Sequence, residues 1–157
     1  MKNLAGKVVQ KLIKKKLKVS FAESCTGGLL SSSITSISGS SKVFNLGLIV
    51  YSNKAKVNIL KVPNKIMKKY GAVSEECCLS MVKNLSKISK ANISISITGI
   101  AGPNGGTKLK PVGLVYIAVS YNGNVWVKEF NFFPKRLIHR EITSQAALNM
   151  VRKVINE

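Results

Sequence analysis

Ala22-Glu23-Ser24-Cys25-Thr26-Gly27-Gly28 lies where a strand-like run, Lys18 to Ala22, hands over to small and apolar residues of helical character from about Thr26 to Ile37. A strand feeding a helix through a glycine-containing turn is the repeating unit of an α/β fold. A small hydroxyl residue at such a junction exposes its oxygen beside free backbone N–H groups at a helix start. That geometry suits a nucleophile or an anion site.

Working outward, the same alternation recurs. Leu4, Val8, Val9, Leu12 and Ile13 fall at helical spacing and predict an amphipathic first helix. Phe44 to Tyr51 reads as a second strand, followed by short helices over Lys54 to Leu60 and Asn64 to Tyr70, the latter stopped by Gly71. Ser74, with Glu75 and Glu76 behind it, is the start signal of a helix running to about Ile88. Asn92 to Thr98 alternates isoleucine with serine and predicts a strand. Val112 to Tyr121 and Val125 to Phe132, joined through Asn122-Gly123-Asn124, predict a hairpin. Lys135 to Ile155 closes the chain as a helix, with Leu137, Ile138, Ile142, Ala146, Leu148 and Val151 as its apolar positions. The expected fold is α/β: a three-layer α/β/α sandwich on a mixed, mostly parallel five-stranded sheet, with residues 1–157 forming one domain.

Composition removes most rival chemistries. The six acids are all glutamates, aspartate is absent, and His139 is the only histidine. A Ser-His-Asp triad therefore cannot be built, and Ser-His-Glu would have to use His139. Zinc sites with several histidines are excluded, and carboxylate-rich magnesium sites are disfavoured. Cys25, Cys77 and Cys78 are odd in number and lack metal or redox spacing, so they read as reduced, partly buried thiols. Cys25, next to Ser24, stands as a competing nucleophile. Catalysis must lean on hydroxyls, lysines, backbone amides or a lone glutamate.

The net charge is +19; Arg136, Arg140 and Arg152 are the only arginines among 25 cations. The lysines are scattered over nearly every segment, which reads as a solvated surface rather than a nucleic-acid stripe. The chain has no secretory pattern and no run of ~18 apolar residues, so the expectation is a cytoplasmic protein without membrane contact.

Three hydroxyl- or glycine-rich turns fall after strands: Glu23 to Gly28, Tyr51 to Lys56, and Thr98 to Thr107. In open α/β sheets, ligands sit beyond the carboxyl ends of strands. The third turn can bring backbone amides near a phosphate or carboxylate, yet it matches neither a P-loop nor a dinucleotide fingerprint. A lysine desolvated in a cleft can lose its proton and serve a serine as base. Serine–lysine chemistry is thus the hydrolytic option this composition best permits.

Six blocks in order carry a resemblance: Ala22 to Gly28, Gly39-Ser40-Ser41, Tyr51-Ser52-Asn53-x-Ala55-Lys56, Gly71-Ala72-Val73-Ser74-Glu75, Thr98-Gly99-Ile100-Ala101-Gly102-Pro103, and Lys110-Pro111-Val112-Gly113. The chain resembles the CinA C-terminal domain family, whose stand-alone members are nicotinamide mononucleotide deamidases. The resemblance covers most of Ser20 to Ala118. It implies hydrolysis of the carboxamide of nicotinamide mononucleotide to nicotinate mononucleotide and ammonia, without a metal or other cofactor. It assigns Ser24 as nucleophile and Lys56 as its base, with Tyr51 supporting proton transfer and Thr98 orienting the site. Cys25, Thr26, Gly27 and Gly28 would supply backbone amides to the oxyanion, and Gly99, Ala101 and Gly102 would receive the ribose phosphate. Arg136 and Arg140 would bind the anionic substrate. The family usually has Gly-Asp-Arg after a phenylalanine before the last helix; here Phe133 is followed by Pro134-Lys135-Arg136. The resemblance also implies a homo-oligomer. A competing reading is a basic module of the same fold that binds nucleotide or nucleic acid without turnover, motivated by the charge and the altered segment before Arg136.

Overall fold

In a computed structural model, which describes residues 1–156, the five strands form one sheet in the order β2-β1-β3-β4-β5. β1 (Val19–Glu23) lies parallel to β2 (Phe44–Ile49) and to β3 (Ile93–Gly99), while β4 (Leu114–Tyr121) runs antiparallel to both β3 and β5 (Asn124–Asn131). Four strands thus point the same way and β4 alone opposes them, although the ladders divide evenly between parallel and antiparallel. The β4–β5 hairpin turns on Asn122 and Gly123, both at positive φ, as a two-residue primed turn requires.

The α/β/α layering follows from what each face of β3 carries. Ile93, Ile95 and Ile97 enter the larger core with Val8, Val9 and Leu12 of α1 (Lys2–Lys15), Leu30 and Ile34 of α2 (Leu29–Thr35), and Ala147, Leu148 and Val151 of α6 (Arg136–Val154). The alternate residues face α5 (Glu75–Ser89) and its neighbours α3 (Asn53–Asn58) and α4 (Asn64–Tyr70). Ser94 hydrogen-bonds Ser20 at 3.0 Å, Ser96 donates to Cys78 O at 2.7 Å, and Thr98 donates to Ala72 O at 2.7 Å. Small hydroxyls on this face let α5 lie close to the sheet while every buried oxygen keeps a partner.

Two expectations need correction. The second helix begins at Leu29, not near Thr26, because Gly27 and Gly28 sit at φ 56° and 93°, outside the helical region. The closing helix spans the expected residues and buries Leu148 and Val151 as expected, but its first turns face differently. Leu137 and Ile138 are exposed, whereas His139, Thr143 and Ser144 are buried with Ala147 and Val151. Among the described residues no helix is long and apolar enough to cross a membrane.

Phe21, buried in β1, packs on Phe44 with ring centroids 5.3 Å apart. Phe21→Ala is expected to cost about 3–5 kcal/mol, read from the shift of the urea midpoint at constant slope. Leu137→Ser should stay within about 0.5 kcal/mol in the same titration, because Leu137 is 71% exposed.

Candidate active site

All three turns singled out in the sequence converge at one end of the sheet, beyond the carboxyl ends of β1, β2 and β3. They line a pocket of about 270 Å³. The first turn contributes Ser24 directly after β1. Its neighbour β2 ends at Ile49, and the chain passes through Val50 and Tyr51 into α3, whose first turn is capped by Ser52 Oγ accepting from the Ala55 amide at 3.0 Å. That short helix places Lys56 so that its side chain runs back inward, and Lys56 is only 2% exposed.

Lys56 Nζ lies 2.9 Å from Ser24 Oγ, 2.9 Å from Val50 O and 3.0 Å from Tyr51 O. A neutral amine has two N–H bonds and one lone pair. Nζ donates to Ser24 Oγ, whose own hydroxyl donates to Tyr51 O at 3.5 Å; a neutral Lys56 that donates only to the two carbonyls would turn its lone pair to that hydroxyl instead. Burial lowers the Lys56 pKa from its ordinary value, favouring the neutral form.

The same environment disfavours the thiolate of Cys25. Burial pushes the Cys25 thiol up to about 12, so it remains protonated at neutral pH. His139 is also remote from this chemistry. It is wholly buried, with Nε2 3.2 Å from Gly113 O and its ring edge-on to Phe132, and burial lowers its pKa.

Of the residues expected at the site, Ser24, Lys56, Tyr51, Thr98, Cys25, Gly99, Ala101, Gly102 and Arg136 line the pocket. Tyr51 meets the serine–lysine pair through its main-chain oxygen; its hydroxyl instead accepts from Arg136 Nη2 at 2.9 Å. Arg136 Nη1 donates to Gly102 O at 2.8 Å. The guanidinium is thus held by a phenol and a carbonyl, and its orientation needs no acid at position 135. Thr98, beneath the pocket, fixes the wall formed by Ala72 and Val73 through its bond to Ala72 O.

Thr26, Gly27, Gly28 and Arg140 do not line the pocket. Thr26 Oγ1 and the Gly28 amide both donate to the Glu23 carboxylate, the Gly27 amide donates to Ser24 O, and Arg140 donates to Thr26 O at 2.8 and 3.2 Å. The amides of Ser24, Cys25 and Thr26 are the ones in this turn without an acceptor among the described residues.

Residues that sequence reasoning passed over are Asn53 and Asn104 at the pocket wall and Glu23 beneath the turn. The two asparagines belong to turns already singled out, one residue after Ser52 and one after Pro103. Glu23 carried a signal of its own, as the only acid before Glu75 and one set in an apolar run. Among the described residues no three His, Cys, Asp or Glu side chains gather as metal ligands do.

Comparison with known proteins agrees with the motifs. The family model for the CinA C-terminal domain matches residues 1–155. A relative from Caldicellulosiruptor bescii is 50% identical over 148 residues, covering 94% of this chain and 36% of the relative. A CinA-like protein of Prochlorococcus marinus is 47% identical over 151 residues, with the same coverage. The chain therefore spans little more than a third of the length of these curated relatives. Among solved structures, the competence/damage inducible protein CihA from Agrobacterium tumefaciens superposes with a TM-score of 0.96 at 39% identity, covering 99% of this chain and 95% of that one. A competence or damage-inducible protein from Enterobacter asburiae gives 0.94 at 30% identity, covering 98% and 97%. With its sheet order, its three converging turns and the match over nearly its whole length, this chain belongs to the CinA C-terminal domain family.

Proposed function

We propose that this domain is a metal-independent amidohydrolase that converts nicotinamide mononucleotide to nicotinate mononucleotide and ammonia. The observation that carries the reading is the buried Lys56 amine, 2.9 Å from Ser24 Oγ and bonded to two backbone carbonyls. An amine in that setting is tuned to accept a hydroxyl proton.

Neutral Lys56 takes the Ser24 proton as Oγ attacks the carboxamide carbon. The developing oxyanion is met by the Cys25 amide at the pocket wall, a donor of the kind that lowers the barrier by about 3 kcal/mol. Lys56, now an ammonium, returns its proton to the leaving nitrogen, and ammonia departs from an acyl-Ser24 ester. Water then attacks the ester with Lys56 again as base, releasing the carboxylate and restoring the Ser24 hydroxyl. Arg136 sits at the pocket wall with only neutral partners, so its charge is uncompensated and suited to the substrate phosphate. The glycines of the Gly99 to Gly105 loop allow close approach of the nucleotide to the backbone.

Ser24→Ala is expected to reduce ammonia release from nicotinamide mononucleotide by at least about 10³-fold with the fold intact by circular dichroism. Mononucleotide binding without release of ammonia by the wild-type protein would replace the enzyme by a binding module. Lys56→Arg should be equally inactive, because a guanidinium cannot act as base at any accessible pH; retained turnover would remove Lys56 from that role.

The sign of the pH dependence follows from the lowered Lys56 pKa. Below it Lys56 is an ammonium and cannot take the proton, so kcat/KM should rise with pH through that value and then level off. The midpoint should fall below the ordinary lysine range. A profile still rising through the pH where free lysine titrates would contradict the assignment. Arg136→Gln should raise KM by about 10–100-fold and leave kcat within about threefold, measured in steady state.

A further inference from the structure

Glu23 has a place in the site that the proposed chemistry leaves unused. It is wholly buried, and among the described residues no lysine or arginine forms an ion pair with it. Its carboxylate is satisfied by neutral donors alone. Oε2 accepts from Thr26 Oγ1 at 2.6 Å, the Gly28 amide at 3.0 Å and the Leu30 amide at 3.1 Å; Oε1 accepts from the Ser31 amide at 2.8 Å and the Ser31 hydroxyl at 2.6 Å. A carboxylate removed from water is costly unless its lone pairs are filled, and these five bonds fill them.

Two consequences follow for the turn that carries Ser24. The first amides of α2, an obvious anion site in the sequence, are already occupied by a side chain of the protein. Thr26 and Gly28 are drawn inward, toward the side chain of the residue that precedes Ser24. From outside, Arg140 of α6 holds the Thr26 carbonyl with two donors, at 3.2 Å from Nε and 2.8 Å from Nη2. The two charged groups hold the same turn at different atoms, Glu23 through the Thr26 hydroxyl and the Gly28 amide and Arg140 through the Thr26 carbonyl, and the amides of Ser24, Cys25 and Thr26 have no acceptor among the described residues.

We infer that Glu23 and Arg140 are a pair of positioning residues, a clamp that holds the turn so that the Ser24 hydroxyl is set against Lys56 and Cys25 stays at the pocket wall. The inference rests on Ser24 being the nucleophile, but not on the identity of the amide substrate. Neither residue touches the reacting atoms. Glu23 acts through Thr26, Gly28 and the start of α2, and Arg140 through the Thr26 carbonyl. An error of about 1 Å in such a turn is enough to cost about 100-fold in rate.

The test uses the full chain and two readouts. Steady-state ammonia release from nicotinamide mononucleotide separates kcat from KM. The rate at which a fluorophosphonate probe labels Ser24, followed by intact mass against a Ser24→Ala control, reports the serine without any nucleotide. Glu23→Gln keeps the shape but turns one oxygen into an NH₂ donor facing other donors. It should lower kcat and labelling rate together by about 10–100-fold, with KM within about threefold and the pH midpoint of the labelling rate unmoved. Thr26→Val, which removes one of the five bonds, and Arg140→Met, which frees the Thr26 carbonyl, should act in the same direction by about 5–20-fold. They keep the test alive should Glu23→Gln fail to fold. Wild-type labelling rates in both Thr26→Val and Arg140→Met would overturn the clamp whatever Glu23→Gln does, as would losses confined to KM. Wild-type Ser24 that labels no faster than the Ser24→Ala background would overturn it too. Brisk wild-type labelling without ammonia release would reject the substrate alone and leave the clamp to be read from the labelling rates.

Discussion

A lysine amine removed from water is the constraint around which this domain is organised. Lys56 is almost wholly buried and stays so because two backbone carbonyls at the end of β2 and one serine hydroxyl surround its nitrogen. An ammonium there would have lost its hydration, and no carboxylate compensates it. The neutral form suffers much less from burial. The fold meets this requirement with ordinary parts: β2 ends one residue before Val50, and a six-residue helix capped by Ser52 turns the lysine back on the strand it follows. The parallel pairing of β1 with β2 then sets Ser24 beside those carbonyls, since Glu23 and Ile49 are in register. The meeting of Ser24 and Lys56 thus follows from strand register and helix length.

The architecture was legible because its signals are local. The Ile–Ser alternation of β3, the Asn122-Gly123 turn and the Ser74 cap each report a backbone state through one or two residues. Two features were not legible in this way. Gly27 and Gly28 read as small residues compatible with a helix, but their positive φ delays α2 to Leu29. α6 was assigned an apolar face through Leu137 and Ile138, whereas the fold buries His139 and Thr143 one turn apart. Periodicity counts apolar residues, so it cannot anticipate a helix that turns a polar pair into the core and leaves two aliphatics in water.

At the site, residue types were legible and partners were not. Elimination of aspartate and histidine chemistry pointed to serine with lysine, and family blocks supplied the numbers 24 and 56. The use each residue makes of its atoms required coordinates. Tyr51 meets the pair through a main-chain oxygen, and its phenol engages Arg136 instead. Arg140, expected among the substrate ligands, is spent on the Thr26 carbonyl. Glu23, one position before Ser24, reads in the sequence only as the first residue of a turn, because a carboxylate satisfied entirely by amides and hydroxyls leaves no charge partner in the sequence to betray it.

The charge of the chain and the charge of the pocket are separate quantities. With 25 cations against six acids, the net charge of +19 sets up a positive long-range field that attracts anionic ligands and weakens with salt. Within the pocket wall the cations are Lys56 and Arg136, and only Arg136 can keep its charge at neutral pH under the chemistry proposed here. That guanidinium makes its two bonds to neutral oxygens. Those oxygens belong to Tyr51 and Gly102, one from each of two turns that form the pocket. Arg136 ties the second and third turns together from α6, as Arg140, one helical turn later, holds the first. The last helix of the chain thus reaches all three loops, Arg136 bonding the second and third and Arg140 the first.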